Sequence, residues 1–133
     1  MGAVLATDGS GNMTEPLPGL RLDPGKMVTP TGLSADVDNY NPTGLSSAIV
    51  LFVDPNGASR NITGLTATYN GHLLLVVNIA DGAEDLVLKN ENASSVAANR
   101  FYGANNADIT IRRGGAVWLL YHGATSRWAP VAI

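Results

Sequence analysis

Turn-forming residues recur along most of this chain, and their spacing is the feature that most limits how it folds. After Tyr40 the turn signals come about ten residues apart, a rhythm typical of the short strands of a β-sandwich or a jelly roll. Several are Asn-Gly or Asp-Gly pairs, which suit tight turns because both residues tolerate a positive φ. The signals fall at residues 56–57, 70–71, 81–82, 90–92, 103–105, 114–115 and 122–123.

Short runs rich in β-branched, aliphatic and aromatic residues lie between these turns. They cover residues 48–53, 61–68, 72–79, 85–90, 108–112, 116–121 and 127–132. Leu86 and Leu88 alternate with their neighbours and predict a strand with one buried face. The run 73–77 is apolar throughout and predicts a central strand covered on both faces. Residues 94–100 fit either a short helical turn or a bulged strand. Because helical periodicity is absent, we predict an all-β fold, an antiparallel β-sandwich or jelly roll.

Residues 1–35 differ from the rest of the chain. Pro and Gly alternate through them, and no aromatic residue precedes Tyr40. Proline removes a backbone donor and glycine adds chain entropy, so this stretch is not expected to fold alone. We therefore predict an extended anchoring arm over residues 1–35 and a β-sandwich domain over residues 36–133. The residues predicted to fix the arm to a partner surface or to neighbouring subunits are Leu17, Leu20, Leu22, Met27 and Val28.

The chain is poor in charge. Charged residues make up 14% of its 133 residues, against about 25% in typical soluble proteins, whereas 45% are apolar. The net charge of −3 disfavours a general nucleic-acid binder. Apolar runs such as 48–53 and 73–77 are far shorter than the ~20 residues that span a bilayer, and we find no secretory signal. We expect the outside of this protein to be neutral, or to be covered by copies of itself.

Neither a catalytic site nor a metal or cofactor site is predicted. The chain has no Cys, only three Glu and no G-x-S-x-G or Walker A motif. His72 and His122 each stand beside a Gly, and we interpret them as polar residues at turn edges. Oxygen atoms at residues 36–39 and 8–12 could bind Ca²⁺, but neither segment completes the EF-hand pattern. The doublet Arg112-Arg113 precedes a Gly-Gly turn and is typical of an exposed strand end.

Aromatic side chains are concentrated in the second half of the chain. We predict that they anchor the core or a subunit interface, because aromatic rings bury large apolar areas. The alternative is an aromatic platform for a sugar ring, which the same rings also provide. The residues concerned are Tyr40, Phe101, Trp118, Tyr121 and Trp128.

A series of short motifs resembles a known module over about residues 36–130. The motifs are DNYNPTGL (38–45), ITGL (62–65), Gly71 with LLLVVN (73–78), LVLKNENAS (86–94), AANRF (97–101), DITI (108–111), GGAVWLLY (114–121) and SRW (126–128). In order and spacing they are similar to a β-sandwich module of tailed-bacteriophage virion proteins, which include tail fibres, head fibres and capsid decoration proteins.

The resemblance implies a trimeric, non-enzymatic structural module that usually ends a longer chain. Here only the predicted arm precedes it, which fits a capsid decoration (cement) protein or a short head fibre better than a full tail fibre. The implied partners are further copies of the chain and the major capsid protein or another virion protein. The implied location is the virion, after synthesis in the host cytoplasm. The alternative is a receptor- or glycan-binding tip module of a tail fibre, with a host surface glycan as ligand.

Overall fold

The computed structural model describes residues 21–131, and in this part of the chain strands predominate. The strands are β1 (Met27–Val28), β2 (Val50–Val53), β3 (Arg60–Ile62), β4 (Leu73–Asn78), β5 (Leu86–Leu88), β6 (Ile109–Ile111), β7 (Ala116–His122) and β8 (Arg127–Pro130). Short 3₁₀ helices span Pro24–Lys26, Leu45–Ser47, Ala97–Asn99 and Ala104–Asn106. Each predicted run overlaps one strand, so the prediction of a β-rich fold is confirmed.

The strands form two sheets of mixed direction. One has five strands in the order β1-β2-β4-β7-β8, and the other has three in the order β3-β5-β6. Three strand pairs are antiparallel, namely β4–β7, β7–β8 and β5–β6. The pairs β1–β2, β2–β4 and β3–β5 are parallel. The prediction of a wholly antiparallel fold was therefore wrong.

The parallel pairs arise because the chain alternates between the two sheets. It leaves β2 for β3 in the smaller sheet and then returns to β4, beside β2. Parallel neighbours need such a crossover, whereas a tight turn joins antiparallel ones. Asn56 and Gly57 do have the positive φ angles, 61° and 81°, that the predicted turn requires. Their turn, however, leads from one sheet to the other and does not close a hairpin.

Residues from both sheets share one buried core. In the larger sheet, Leu74 and Val76 of β4 are at most 1% exposed. In the smaller sheet, Leu86 and Leu88 of β5 are equally buried, as their alternation predicts. The other buried members of this cluster are Leu33, Leu45, Ala48, Leu51, Val53, Ile62, Leu65, Phe101, Ile111, Leu119, Tyr121 and Trp128.

The segment around Phe101 ties the two sheets together through its backbone. The Tyr102 amide donates to the Trp128 carbonyl of β8 at 2.8 Å, and the Glu91 amide, just beyond β5, donates to the Phe101 carbonyl at 3.0 Å. The Trp128 ring is fully buried, and its indole N–H donates to the Leu65 carbonyl at 3.0 Å. One tryptophan therefore contributes both packing and a hydrogen bond where the two sheets meet.

Asn39 joins two motifs that are far apart in sequence. Its φ of 47° lies in the left-handed region, which Asn tolerates better than most residues. Its Oδ1 accepts from the Val96 amide at 2.9 Å and from the Asn99 side chain at 2.8 Å. Its own amide donates to the Ser95 hydroxyl oxygen at 2.8 Å. Since Ala97–Asn99 forms a 3₁₀ helix, the open choice for residues 94–100 resolves to a helical turn.

The described end of the predicted arm contacts the rest of the protein. Met27 and Val28 form edge strand β1, which pairs in parallel with β2. Val28 packs against the core, and Leu33 is a buried member of it. Leu22 is half-buried. Leu17 and Leu20 lie outside the described residues.

Replacing Trp128 with Ala should lower the free energy of unfolding by about 3–5 kcal/mol, because it opens a cavity and leaves the Leu65 carbonyl without its donor. Urea unfolding followed by circular dichroism measures this change. Tyr102→Ala is the matched control, since Tyr102 is 56% exposed, and it should change the value by no more than about 0.5 kcal/mol. Equal losses in the two variants would contradict the assignment of Trp128 to the core.

Asn39→Ala should lower the free energy of unfolding by about 2–4 kcal/mol, because it removes two accepted hydrogen bonds and places Ala in the left-handed region. Asn41→Ala changes an exposed residue of the same motif and should be near neutral. Urea unfolding of both variants measures the difference. If Asn39→Ala is as stable as the unsubstituted protein, Asn39 does not hold the two motifs together.

Candidate assembly surface

The five-stranded sheet has one face on the core and one face directed away from it. Along β4, Leu74 and Val76 are core residues, so the alternation of a strand directs Leu73, Leu75 and Val77 to the opposite side. On β7, the core residues Leu119 and Tyr121 likewise direct Trp118 and Leu120 outward. We call this second side of the sheet the outer face.

Strand register aligns outward residues in rows across the sheet. Met27 pairs with Val50, Val50 with Leu75, and Leu75 with Trp118. The Val131 amide then donates to the Trp118 carbonyl at 3.0 Å, which extends the row past β8. The outer face consists of Met27, Val50, Phe52, Leu73, Leu75, Val77, Ala116, Trp118, Leu120, Ala129 and Val131. Every one of these side chains is apolar, and the polar pair on the same side, His122 and Arg127, lies at the end of the β7–β8 hairpin.

The outer face is partly buried in the single chain and most exposed at its edges. Val50 is 4% exposed although it does not belong to the core cluster. Leu75 and Trp118 are half-buried, while Leu73 is 44% and Val131 53% exposed. Single apolar residues on a surface are ordinary, but a contiguous patch marks a site of interaction.

The smaller sheet has an ordinary polar exterior. Asn61, Val87 and Thr110 lie side by side on the side of this sheet opposite its core residues. Asp36 borders it and accepts hydrogen bonds from the backbone and side-chain N–H groups of Asn61, both at 2.9 Å. The two sheets thus differ in their exteriors. The exterior of the smaller sheet is polar and well solvated by water, whereas the outer face of the larger sheet is apolar.

Charged groups along the smaller sheet are held by local hydrogen bonds. The two bonds from Asn61 hold the pKa of the Asp36 carboxyl below its usual value. Asp108 accepts from the Lys89 ammonium and from the Asn90 amide, and these bonds lower the pKa of its carboxyl in the same way. Both carboxylates therefore have structural partners.

The aromatic residues predicted as anchors divide between two environments. Phe101, Tyr121 and Trp128 are buried in the core. Tyr40 is half-buried and packs against the core, and this burial raises the pKa of its hydroxyl. Trp118 alone among the five lies on the outer face. The only sequence feature that indicated this face was the unbroken apolar run of β4. That run was predicted to be covered on both faces, but its outward side is not fully covered, since Leu73 is exposed.

The two histidines have different surroundings. His72 directly follows the turn at residues 70–71, as interpreted, but its side chain is buried, with an exposure of 2%. Its Nε2–H donates to the Ala48 carbonyl at 2.7 Å, which leaves Nδ1 to accept from the Thr68 hydroxyl at 2.6 Å. His122 is exposed, and its Nδ1 lies 2.8 Å from the Thr125 hydroxyl oxygen. His72 thus serves to satisfy buried backbone and hydroxyl groups.

Among the described residues, the candidate calcium ligands form hydrogen bonds to neighbouring side chains. Asp36 is bonded to Asn61, and Asp38 accepts from the Thr63 hydroxyl at 2.6 Å. Residues 8–12 lie outside the described part. Between residues 21 and 131 no three His, Asp or Glu side chains converge as a metal site would require. The same stretch contains no helix long and apolar enough to cross a membrane.

Stability should decrease as the pH falls through the titration range of Asp36 and Asp108. A carboxyl whose pKa is lowered in the folded state stabilises the fold at pH values above its pKa in the unfolded chain, which is about 3.9. This contribution is lost as the pH falls through the pKa of the folded state. Both groups are exposed, so the effect should be small. The double variant Asp36→Asn/Asp108→Asn should show a flatter profile between pH 6 and pH 3 in urea unfolding. Asp81→Asn, also at an exposed carboxylate, is the control, and a profile unchanged in the double variant would contradict the assignment.

Comparison with known proteins adds no relative. No protein-family model, no curated protein and no solved structure matched the chain. The likeness to phage virion modules therefore depends on the motifs alone, and a functional argument has to start from the outer face.

Proposed function

We propose that this chain is a non-enzymatic structural protein of a tailed-bacteriophage virion, a homotrimeric capsid decoration (cement) or head-fibre subunit. In this proposal the two sheets form a β-sandwich around their shared core. Residues 1–35 form the arm that anchors the subunit to the major capsid protein or to another virion protein. The protein is made in the host cytoplasm and acts on the virion, without a cofactor, a nucleic acid or a membrane.

The observation that carries the proposal is the apolar outer face. Strands ~4.8 Å apart that rise ~3.3 Å per residue make this face about 24 Å by 16 Å, or about 400 Å². The largest apolar patch on a typical monomer covers about 300–600 Å² and is often functional. A chain with 14% charged residues has few groups with which to keep such a face in water. Permanent assembly into a larger particle is the use that this surface fits best.

The described part of the arm supports an anchoring role for the residues before it. Strand β1 adds to the edge of the larger sheet by parallel pairing, and the Ile49 amide donates to the Lys26 carbonyl at 2.7 Å. Strand addition of this kind is a common way for extended segments to bind. Because residues 24–33 are fixed to the body, the chain before Arg21 starts from a defined point on the subunit. Leu17 and Leu20 are then the apolar residues that we assign to contact with the capsid.

The charged groups of the described chain support a structural role. Asp36 and Asp108 bind local partners, and Arg127 binds the Glu91 carboxylate. Paired charges of this kind hold loops in place and are not poised to transfer protons. Asn39, Asn78 and Asn99 contribute neutral hydrogen bonds to the folded chain, and salt does not screen such bonds.

One observation favours the alternative of a glycan-binding tip module. Tyr102 is 56% exposed and lines a depression of about 380 Å³ together with residues 103–106 and Pro130. An exposed aromatic ring beside Asn side chains can stack on a sugar and donate hydrogen bonds to it. The other residues around it are small, which favours the structural role.

Removal of residues 1–20 should abolish binding to particles and leave the body folded, because strand β1 and Leu33 remain. The experiment is co-sedimentation of the full chain and of the truncated chain with phage particles assembled without this protein. Circular dichroism checks that the truncated chain is folded. Tyr102→Ala in the full chain is the matched control and should still bind.

The outcomes separate the two functions. Binding by the full chain and its loss on truncation support the decoration or head-fibre role. Equal binding by the truncated chain would place the anchor on the body and refute the arm. If the full chain does not bind particles but binds a glycan through Tyr102, the proposal would be overturned in favour of the tip module.

A further inference from the structure

We infer that the outer face is the contact between copies of this chain, with the outer faces of the other two copies as its occupants around the threefold axis of a trimer. The inference rests on the proposed function for the existence of a homo-oligomer, and it adds which surface forms the contact between the copies. The outer face would then be buried within the oligomer, and the smaller sheet and the residues before Arg21 would remain available to the particle.

The outer face is smaller than a standard interface and needs its rim to complete the contact. A standard interface buries about 800 Å² per partner, of which about 60% is apolar, so it requires an apolar area of about 480 Å². The flat area of the outer face is about 400 Å², as the strand spacing gives, and its residues are partly buried in the single chain. Neighbouring residues of the rim would supply the remainder.

The electrostatic character of the outer face favours a copy of itself as the partner. None of its eleven positions, all within residues 27–131, carries a charged side chain. Near the threefold axis of a trimer, equivalent residues of the copies approach each other, and any charge there would meet its own sign. The polar positions on β7 and β8, His122 and Arg127, pair with each other at the end of the hairpin and so lie at the rim.

Trp118 is placed to be the anchor of this contact. It lies in the row that runs from Met27 through Val50 and Leu75 to Val131. Its side chain is half-buried in the single chain, so part of its area is free for a partner. Tryptophan residues near the centre of an interface commonly carry a large share of the binding free energy. The assignment also explains why Trp118 does not join the core with Trp128.

The smaller sheet is a poor candidate for the same role. Its exterior carries Asn61 and Thr110, and the charged pair Lys89 and Asp108 lies at its edge. These groups are satisfied within one chain and would have to lose water in a contact. Of the two sheet exteriors, the outer face of the larger sheet is therefore the one that gains from burial.

The test is sedimentation of the full-length protein with a charge placed on the outer face. Leu120→Glu changes a residue that is 38% exposed, so the single chain can accommodate the carboxylate in water. The unsubstituted chain should sediment at about three times 13.8 kDa. Leu120→Glu should shift dissociation to monomers to concentrations at least about 100-fold higher, because a copy would have to bury the charge.

Matched controls distinguish a lost contact from a lost fold. Val96→Glu and Thr110→Glu place the same charge at exposed positions away from the outer face and should leave the oligomer intact. Leu73→Glu is a second outer-face variant, at a residue 44% exposed, for use if Leu120→Glu does not fold by circular dichroism. Trp118→Ala should weaken association by at least about tenfold while the monomer stays folded.

Each outcome bears on one claim. If the outer-face variants are monomers while the control variants remain oligomers, the inference is supported, even if the protein does not bind particles and the virion role fails. Oligomeric outer-face variants that are as stable as the controls overturn the inference and leave the virion role standing, and loss of particle binding in them would assign the face to the capsid. A monomeric full chain that associates only after removal of residues 1–20 overturns it too, since that segment would then cover the face.

Discussion

Strand β4 is apolar on both faces, and the larger sheet is organised around it. Its inward residues Leu74 and Val76 enter the core, and its outward residues lie in the middle of the outer face. A strand of this kind is stable only between two partners, and β4 lies between β2 and β7. Because β4 has a partner strand on each edge, its backbone groups are hydrogen-bonded, whereas its outward apolar side chains are not fully buried within the single chain. The fold and the proposed assembly thus depend on the same five apolar residues, 73–77.

The two sheets are held together by short polar and backbone connections as much as by the core. Asn39 fixes the segment before β2 to the 3₁₀ helix Ala97–Asn99. The next residues, around Phe101, bond to β8 of one sheet and to the chain beyond β5 of the other. The Asn39 contacts join segments about 60 residues apart. The motifs at residues 38–45 and 97–101 lie in loops and short 3₁₀ helices, where backbone groups have to find specific partners.

Low charge has different consequences at the two exteriors of the molecule. On the smaller sheet, a few carboxylates and amides form local hydrogen bonds and keep the surface compatible with water. On the larger sheet, alternation puts apolar side chains on the outer face, with His122 and Arg127 at its rim. A protein that remained monomeric would gain nothing from this difference. A subunit that buries one sheet and exposes the other would benefit from it, and this is the arrangement that we propose for this chain.

The sequence by itself determined where the chain turns, which runs are strands and which alternating residues are buried, because these depend on local φ preferences and on the two-residue period of a strand. It could not determine strand partners. The Asn56-Gly57 turn has the same local geometry whether it closes a hairpin or leads to another sheet, so the parallel pairs were missed. Nor could it find β1, whose two residues are ordered only by the edge of β2. Tertiary structure also decided the places of the two tryptophans. Both lie in β-strands, and the register of β7 against its two neighbours decides their sides: Trp118 aligns with the outward Leu75 of β4, and Trp128 of β8 aligns with the buried Tyr121.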